Sequence, residues 1–98
     1  MSEAVQVLAR LQKWFLAQCD GDWEHSCGVK IETLDNPGWL VTVDLKDTAW
    51  EQLREPRKIV ERSETDWIQS EIVEGKFIGC GGPGNLEEIL ELFLDRVR

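Results

Sequence analysis

Hydrophobic residues near the start of the chain recur at steps of three and four, with charged residues between them. Between Ser2 and about Gln18 these apolar positions are Val5, Leu8, Leu11, Phe15 and Leu16. Residues with this spacing share one side of a helix, so the pattern predicts an amphipathic α-helix. Asp20 and Gly21 follow it, and residues of these two types end helices readily.

A period of two replaces the helical period after residue 28. The segments GVKIETL and WLVTVDL both alternate apolar with polar residues, and DNPG at residues 35–38 joins them. In a tight turn Pro37 presets its own φ angle and Gly38 tolerates a positive one. Residues 28–45 are therefore predicted to form a β-hairpin, with Val29 and Ile31 on one strand face.

Three more strands are predicted in the second half of the chain. The segment DTAWEQLREP has no sustained period and ends in proline, so it is predicted to be an irregular connection. RKIVERS and DWIQSEIV alternate again, and the turn EGK leads from the second of these segments into KFIGC. These patterns are typical of half-buried strands, the last two joined as a hairpin.

The final stretch, NLEEILELFLDRVR, has the signals of a second amphipathic helix. Asn85 is a suitable N-cap, Glu87 and Glu88 lie where the helix dipole favours acids, and Arg96 and Arg98 lie near the other end. Its apolar residues recur at helical spacing and predict a buried stripe, made of Leu86, Ile89, Leu90, Phe93, Leu94 and Val97.

The predicted order of elements is α-β-β-β-β-β-α. This order favours an α+β fold with an antiparallel sheet of about five strands and the N- and C-terminal helices packed on one face. The 98 residues are enough for one domain, 1–98, with one core. Apolar residues make up 42% of the chain, which is enough to build that core and argues against a disordered chain.

Charge and cysteine content limit the partners and the compartment. Nineteen acidic and eleven basic residues give a net charge of -8, which disfavours nucleic acid and anionic membranes and favours basic partners. The sequence has no apolar run of signal-peptide or membrane-spanning length. Cys19, Cys27 and Cys80 are an odd count, more typical of reduced thiols than of a disulfide framework, so we expect a cytoplasmic protein.

The glycine-rich segment at residues 79–85 matches the dinucleotide-binding spacing at Gly79, Gly81 and Gly84. A dinucleotide site also needs a second parallel strand with an acidic residue, and the sequence continues for only fourteen residues after Gly84. Pro83 also removes a backbone donor from the loop. We therefore expect no nucleotide cofactor, and we expect the glycines to let the chain leave an edge strand and turn into the last helix.

Cys19, His25 and Cys27 lie close together in sequence, and Cys80 is a possible fourth metal ligand. Structural zinc sites normally have four ligands with paired short spacings, so we expect no metal here. A thiol- or metal-dependent enzyme centred on Cys19, His25 and Cys27 remains the alternative function. The surrounding acids would raise the thiol pKa and so oppose formation of a nucleophilic thiolate.

Tryptophan is unusually frequent, with five residues in a chain that has no tyrosine. We expect Trp14 and Trp39 to be buried between sheet and helices, and some of the other tryptophans to lie near the surface. An exposed tryptophan beside carboxylates is a common way to build a binding face for a basic partner. The predicted partner-binding residues are Asp20, Asp22, Trp23, Glu24, Asp47, Trp50 and Glu51.

Several motifs occur together along this sequence. They are the Lys13-Trp14 pair, QCDGDWEH at residues 18–25, the run G-x-x-I-x-T-L-D-N-P-G-W at 28–39, and Asp66-Trp67 followed by the glycine-rich entry to the last helix. In combination they resemble the immunity protein 53 family of bacterial polymorphic toxin systems. The resemblance covers nearly the whole chain.

The resemblance implies a small α+β protein that binds a cognate toxin protein and blocks it, with no enzymatic activity of its own. Toxins of such systems are often nucleases with basic surfaces, which an acidic inhibitor complements. Some motif residues are expected to hold the fold rather than to contact the toxin. They are Trp14, Asp35, Asn36, Pro37 and Gly38.

Overall fold

The structure, a computed structural model, describes the backbone of residues 3–97 and the side chains of residues 6–97. Helix α1 (Glu3–Gln18) comes first and helix α3 (Leu86–Arg96) comes last. The strands between them are β1 (Val29–Leu34), β2 (Gly38–Asp44), β3 (Glu55–Glu61), β4 (Trp67–Val73) and β5 (Lys76–Gly81). This α+β arrangement confirms the predicted fold class, while the predicted helix limits Ser2 and Arg98 lie outside the described residues.

A one-turn helix, α2 (Trp23–Ser26), lies in the loop between α1 and β1 and was not predicted. Four residues are too few to show a hydrophobic period, so only the local hydrogen bonds of the loop reveal this turn. No helix within residues 3–97 is long and apolar enough to cross a membrane.

The strands form one antiparallel sheet in the order β1-β2-β5-β4-β3. Strand β5 is central, because Gly81 pairs with Trp39 of β2 on one side and Ile68 of β4 on the other. The expectation that β5 is an edge strand was wrong. The edge strand β3 begins two residues earlier than predicted and contains Pro56, which an edge strand tolerates because it needs fewer ladder donors.

Helices α1 and α3 pack on one face of this sheet and enclose the core. Alternate strand residues point towards them, including Val41, Val43 and Phe77, each at most 2% exposed. Phe93 of α3 contacts both the sheet and α1. Its ring lies 5.3 Å from that of Phe77 in β5 and 4.9 Å from that of Trp14 in α1. The apolar stripe predicted for the last helix therefore lies on the side that faces the core, and its final residue, Val97, is buried just after the end of α3.

The antiparallel register sorts the loops to two opposite ends of the sheet. One end, here called the first-loop end, contains residues 19–28 before β1 and the connection 45–54 between β2 and β3. The other end, here called the helix-entry end, contains the β1–β2 turn, the β3–β4 turn at 62–66 and the glycine-rich segment before α3. The two ends carry different groups of polar side chains.

Candidate functional site

The first loop is held together by two of the acids predicted to bind a partner. Asp20 Oδ1 accepts hydrogen bonds from the backbone N–H groups of Asp22 (3.0 Å) and Trp23 (2.9 Å). The Glu24 carboxylate accepts from the backbone N–H groups of Asp20 (3.0 Å) and Gly21 (2.9 Å). This reciprocal arrangement resembles a capping box and fixes the start of α2.

These hydrogen bonds favour the ionised form of both acids. Backbone donors, Trp23 first and then Asp22, lower the pKa of Asp20 below its ordinary value. The pKa of Glu24 is also lowered, by its own backbone N–H first and then by those of Asp20 and Gly21. Both carboxylates therefore stay charged at neutral pH, and both help to shape the loop.

Trp23 is buried, with 4% of its surface exposed, so the expectation that it is an exposed binding anchor was wrong. Its indole N–H donates to the carbonyl of Lys46 at 3.0 Å, and its ring lies 6.0 Å from that of Trp14. The side chain therefore ties the first loop to the connection after β2. This contact places Asp47 beside Asp20 and Asp22.

A pocket of about 310 Å³ opens at this junction and is lined by Asp20, Asp22, Trp23, Ser26 and Asp47. The backbone of Asp47 is left-handed, with φ at 62°, because the chain turns sharply after β2. Three exposed carboxylates thus surround one depression whose buried wall is Trp23. In the described part of the chain, no salt bridge joins these three carboxylates to a basic side chain.

The remaining predicted site residues lie outside the pocket lining. Trp50 is half-buried and packs against the core, with its ring 5.9 Å from that of Trp14. Glu51 is also half-buried, in the same connection. The structure therefore brings Asp20, Asp22 and Asp47 together, and it gives Trp23 and Trp50 supporting roles in the core.

The cysteine and histidine side chains do not converge. Cys19 donates from Sγ to the Phe15 carbonyl at 3.3 Å, His25 is exposed, and Cys27 packs against the core. Cys80 lies near the far end of β5, on the sheet face opposite the helices. Within residues 3–97, no three histidine, cysteine or acidic residues are placed to hold a metal ion.

The local environment of Cys19 opposes formation of its thiolate. Desolvation first, and then the charges of Glu24 and Asp20, raise the pKa of Cys19 above its ordinary value of 9.0. A thiol with a raised pKa is protonated at neutral pH, and the thiolate is the reactive form. The sequence had indicated this effect, because the same acids flank the cysteine.

The glycine-rich segment is required for close packing. None of its four glycines has a positive φ angle. A Cβ atom on Gly79 would lie 2.7 Å from Cγ2 of Ile89, and one on Gly81 would lie 2.8 Å from the Trp67 carbonyl oxygen. The missing side chains therefore let α3 approach β5 and let neighbouring backbones meet.

Close packing also explains Gly38, whose expected positive φ angle is not observed. A Cβ atom at this position would overlap the carbonyl oxygen of Gly81 on the neighbouring strand. Glycine is needed at position 38 because the backbone of β5 leaves no room for a side chain. The sequence around Gly38 does not reveal this contact, since β5 lies far away along the chain.

A polar network at the helix-entry end was missed by sequence reasoning. Arg62 donates to Asp66 at 2.9 and 3.0 Å and to Glu88 of α3 at 2.6 Å. Asn85, 6% exposed, donates from Nδ2 to the same two carboxylates. The predicted side-chain N-cap bond of Asn85 is absent, because its amide faces the network, which joins the β3–β4 turn to α3.

Comparison with known proteins gives one family. No curated protein and no solved structure matches the chain significantly. The model of the family described as immunity protein 53 matches residues 8–98, which is nearly the whole chain and includes both ends of the sheet. The chain therefore belongs to the immunity protein 53 family.

Proposed function

We propose that this protein is an immunity protein that binds a cognate toxin protein and blocks it through the acidic surface of the first-loop end. The single observation that carries the location is the pocket shared by Asp20, Asp22 and Asp47. Its carboxylates come from two loops that are distant in sequence, and the buried Trp23 holds these loops together. A rigid loop pair of this kind loses little conformational entropy on binding.

Charge supports a basic toxin. The net charge of -8 attracts a positively charged protein over long distances and raises its association rate. A toxin that acts on nucleic acid needs a basic surface for the phosphate backbone, so a nuclease-type toxin fits this surface best. The same charge disfavours nucleic acid as a direct partner of this protein.

A binding role without catalysis also agrees with the thiol chemistry of the first loop. The raised pKa of Cys19 leaves its thiol protonated at neutral pH. Within the described residues, no hydrogen bond joins the exposed His25 to a cysteine that it could activate. The cysteines at 19, 27 and 80 are all free, which agrees with the reducing cytoplasm. Replacing Cys19, His25 and Cys27 together, with folding intact, should leave protection against the toxin unchanged. Loss of protection in this folded variant would support the enzyme alternative instead.

The proposed surface is tested by association kinetics with the cognate toxin, once co-purification has identified it. Asp22→Lys and Asp47→Lys should each slow association, with less effect on dissociation, and raising the salt above ~0.1 M should do the same. Glu32→Lys on the exposed edge strand β1 is the matched control, since it makes the same change in net charge away from the pocket.

Three outcomes can be distinguished in this experiment. Slower association in both pocket variants but not in the control supports the first-loop surface. An equal effect in all three variants shows that net charge matters and the pocket does not. An association rate that changes neither with salt nor with charge reversal would show that the acidic surface is not used for binding.

A further inference from the structure

Trp67 differs from the other four tryptophans of the described chain. Trp14 and Trp23 are buried in the core, and Trp39 and Trp50 pack against it. Trp67 is half-buried, belongs to neither group and lies on the sheet face opposite the helices. Its indole N–H makes no hydrogen bond within the described residues. The side chain therefore contributes neither a hydrogen bond nor core packing to the fold.

The ring of Trp67 lines a pocket of about 380 Å³ at the helix-entry end. The other lining residues are Asn36, Glu61, Ser63, Glu64 and Gln69. Glu61 lies directly opposite Trp67 in the β3–β4 pair, where Cβ atoms are about 4.5–5.5 Å apart and side chains share a face. The adjacent pair is Gln69 with Ile59, whose exposed fraction of 53% adds an apolar edge.

The two carboxylates of this pocket lack a basic partner. Glu61 and Glu64 form no ion pair or hydrogen bond through their side chains within the described residues. The nearest arginine in sequence, Arg62, is held by Asp66 and Glu88 on the helix side of the sheet. The pocket therefore combines an aromatic ring, two uncompensated carboxylates and two side-chain amides.

We propose that this pocket receives an arginine side chain of a basic protein partner. A planar guanidinium stacks on an indole ring and donates several hydrogen bonds in one plane, which the neighbouring carboxylates and amide oxygens accept. Lysine has a compact charge that cannot stack in this way or bind a carboxylate through two parallel bonds. The aromatic ring thus makes the pocket selective for arginine over lysine.

This inference rests on the proposed function only for the statement that the partner is a basic protein. It adds a second contact surface, at the end of the sheet opposite the pocket of Asp20, Asp22 and Asp47. A basic toxin that extends along the uncovered sheet face can contact both ends. The preference for arginine can be measured without the toxin.

The test uses a capped hexa-arginine peptide and a capped hexalysine peptide as probes of the full-length protein. Nuclear magnetic resonance follows the indole N–H signal of Trp67, which the Trp67→Phe variant assigns. We expect saturable shifts of this signal and binding of hexa-arginine at least ~3-fold tighter than hexalysine, because stacking adds to the charge attraction. Trp67→Ala, in which binding is followed through the backbone amide signals of the other pocket residues, should remove this preference while the melting temperature stays close to that of the parent protein.

Charge is controlled with two double variants of equal net charge. Glu61→Gln with Glu64→Gln should weaken hexa-arginine binding about tenfold, the ratio expected for the loss of charge-assisted hydrogen bonds. Asp22→Asn with Asp47→Asn should weaken it far less. Equal weakening by both pairs, equal binding of the two peptides, or a Trp67 signal that does not move would overturn the inference. None of these results contradicts the proposed role of the first-loop surface. Conversely, failure of the protein to bind the toxin would contradict the proposed function but not the preference of this pocket for arginine.

Discussion

Asn85 Nδ2 donates a hydrogen bond of 2.9 Å to Oδ1 of Asp66, and this bond joins the entry of α3 to the β3–β4 turn. Asp66 also holds Arg62, which reaches across to Glu88. Hydrogen bonds from Arg62 first, and then from Asn85, lower the pKa of Asp66 below its ordinary value of 3.8. The same network raises the pKa of Arg62. The Asp66-Trp67 pair and the glycine-rich entry, which carried the family resemblance, are thus joined in one structural unit.

Asp66→Asn should lower the free energy of unfolding in a pH-dependent way. The folded pKa of Asp66 is below the unfolded one, so its contribution is complete above about 3.8 and disappears as the pH falls through the folded pKa. Urea denaturation of both proteins between neutral and acidic pH measures the difference. Glu64→Gln, an exposed acid of the same turn, should show little difference at any pH. A deficit of Asp66→Asn that persists at the most acidic pH would show that the carboxylate charge is not the cause.

Gly81→Ala should destabilise the fold by about 1–3 kcal/mol, because its Cβ would meet the Trp67 carbonyl oxygen at 2.8 Å and backbone cannot move freely there. Gly84→Ala is the control, since nothing lies within 4 Å of its Cβ position, and it should change stability by less than ~0.5 kcal/mol. Urea denaturation measures both effects as shifts of the unfolding midpoint, provided that the slope of the free energy against urea concentration is unchanged. Similar losses for the two variants would mean that conformational freedom, and not close packing, selects these glycines.

Trp23→Ala should reduce the free energy of unfolding by about 3–5 kcal/mol, because it removes a buried aromatic side chain. Asp22→Asn, one residue earlier and exposed, should change it by less than ~0.5 kcal/mol. Thermal unfolding followed by circular dichroism separates the two variants. If Trp23→Ala melts like the parent protein and loses only toxin binding, Trp23 acts at the interface after all.

The Cys19 thiol should react slowly with iodoacetamide at neutral pH. Its pKa is raised above 9.0, so the rate should reach half its maximum only above pH 9.0. A variant with Cys27→Ser and Cys80→Ser isolates this thiol for the measurement. A rate that already levels off near neutral pH would indicate an activated thiolate and favour the enzyme alternative.

Treatment with a chelator should leave the melting temperature of the protein unchanged, because the fold is proposed to need no metal. Addition of zinc to the chelated and dialysed protein should likewise have no effect. A fall in melting temperature that zinc reverses would show that a metal stabilises the folded state.

Local patterns were sufficient for the elements and for the neighbours within each hairpin. The β1–β2 and β4–β5 hairpins follow from alternation and turn residues within windows of about ten to twenty residues. The position of β5 in the sheet does not follow from local patterns, since its pairing with β2 joins Trp39 to Gly81, which are far apart in sequence. This pairing makes β5 central, and it explains Gly38 and Gly81 as sites of close backbone contact.

The candidate sites divide in the same way. The sequence by itself determined the acidic charge, the family motifs and the closeness of Asp20 and Asp22, because these are properties of composition and of short segments. Only the tertiary structure decided that Trp23 is buried, that Asp47 joins the first loop, and that Trp67 remains outside the core. Burial of a side chain depends on contacts from distant segments, so tryptophans with similar acidic neighbours in sequence can have opposite roles in the fold.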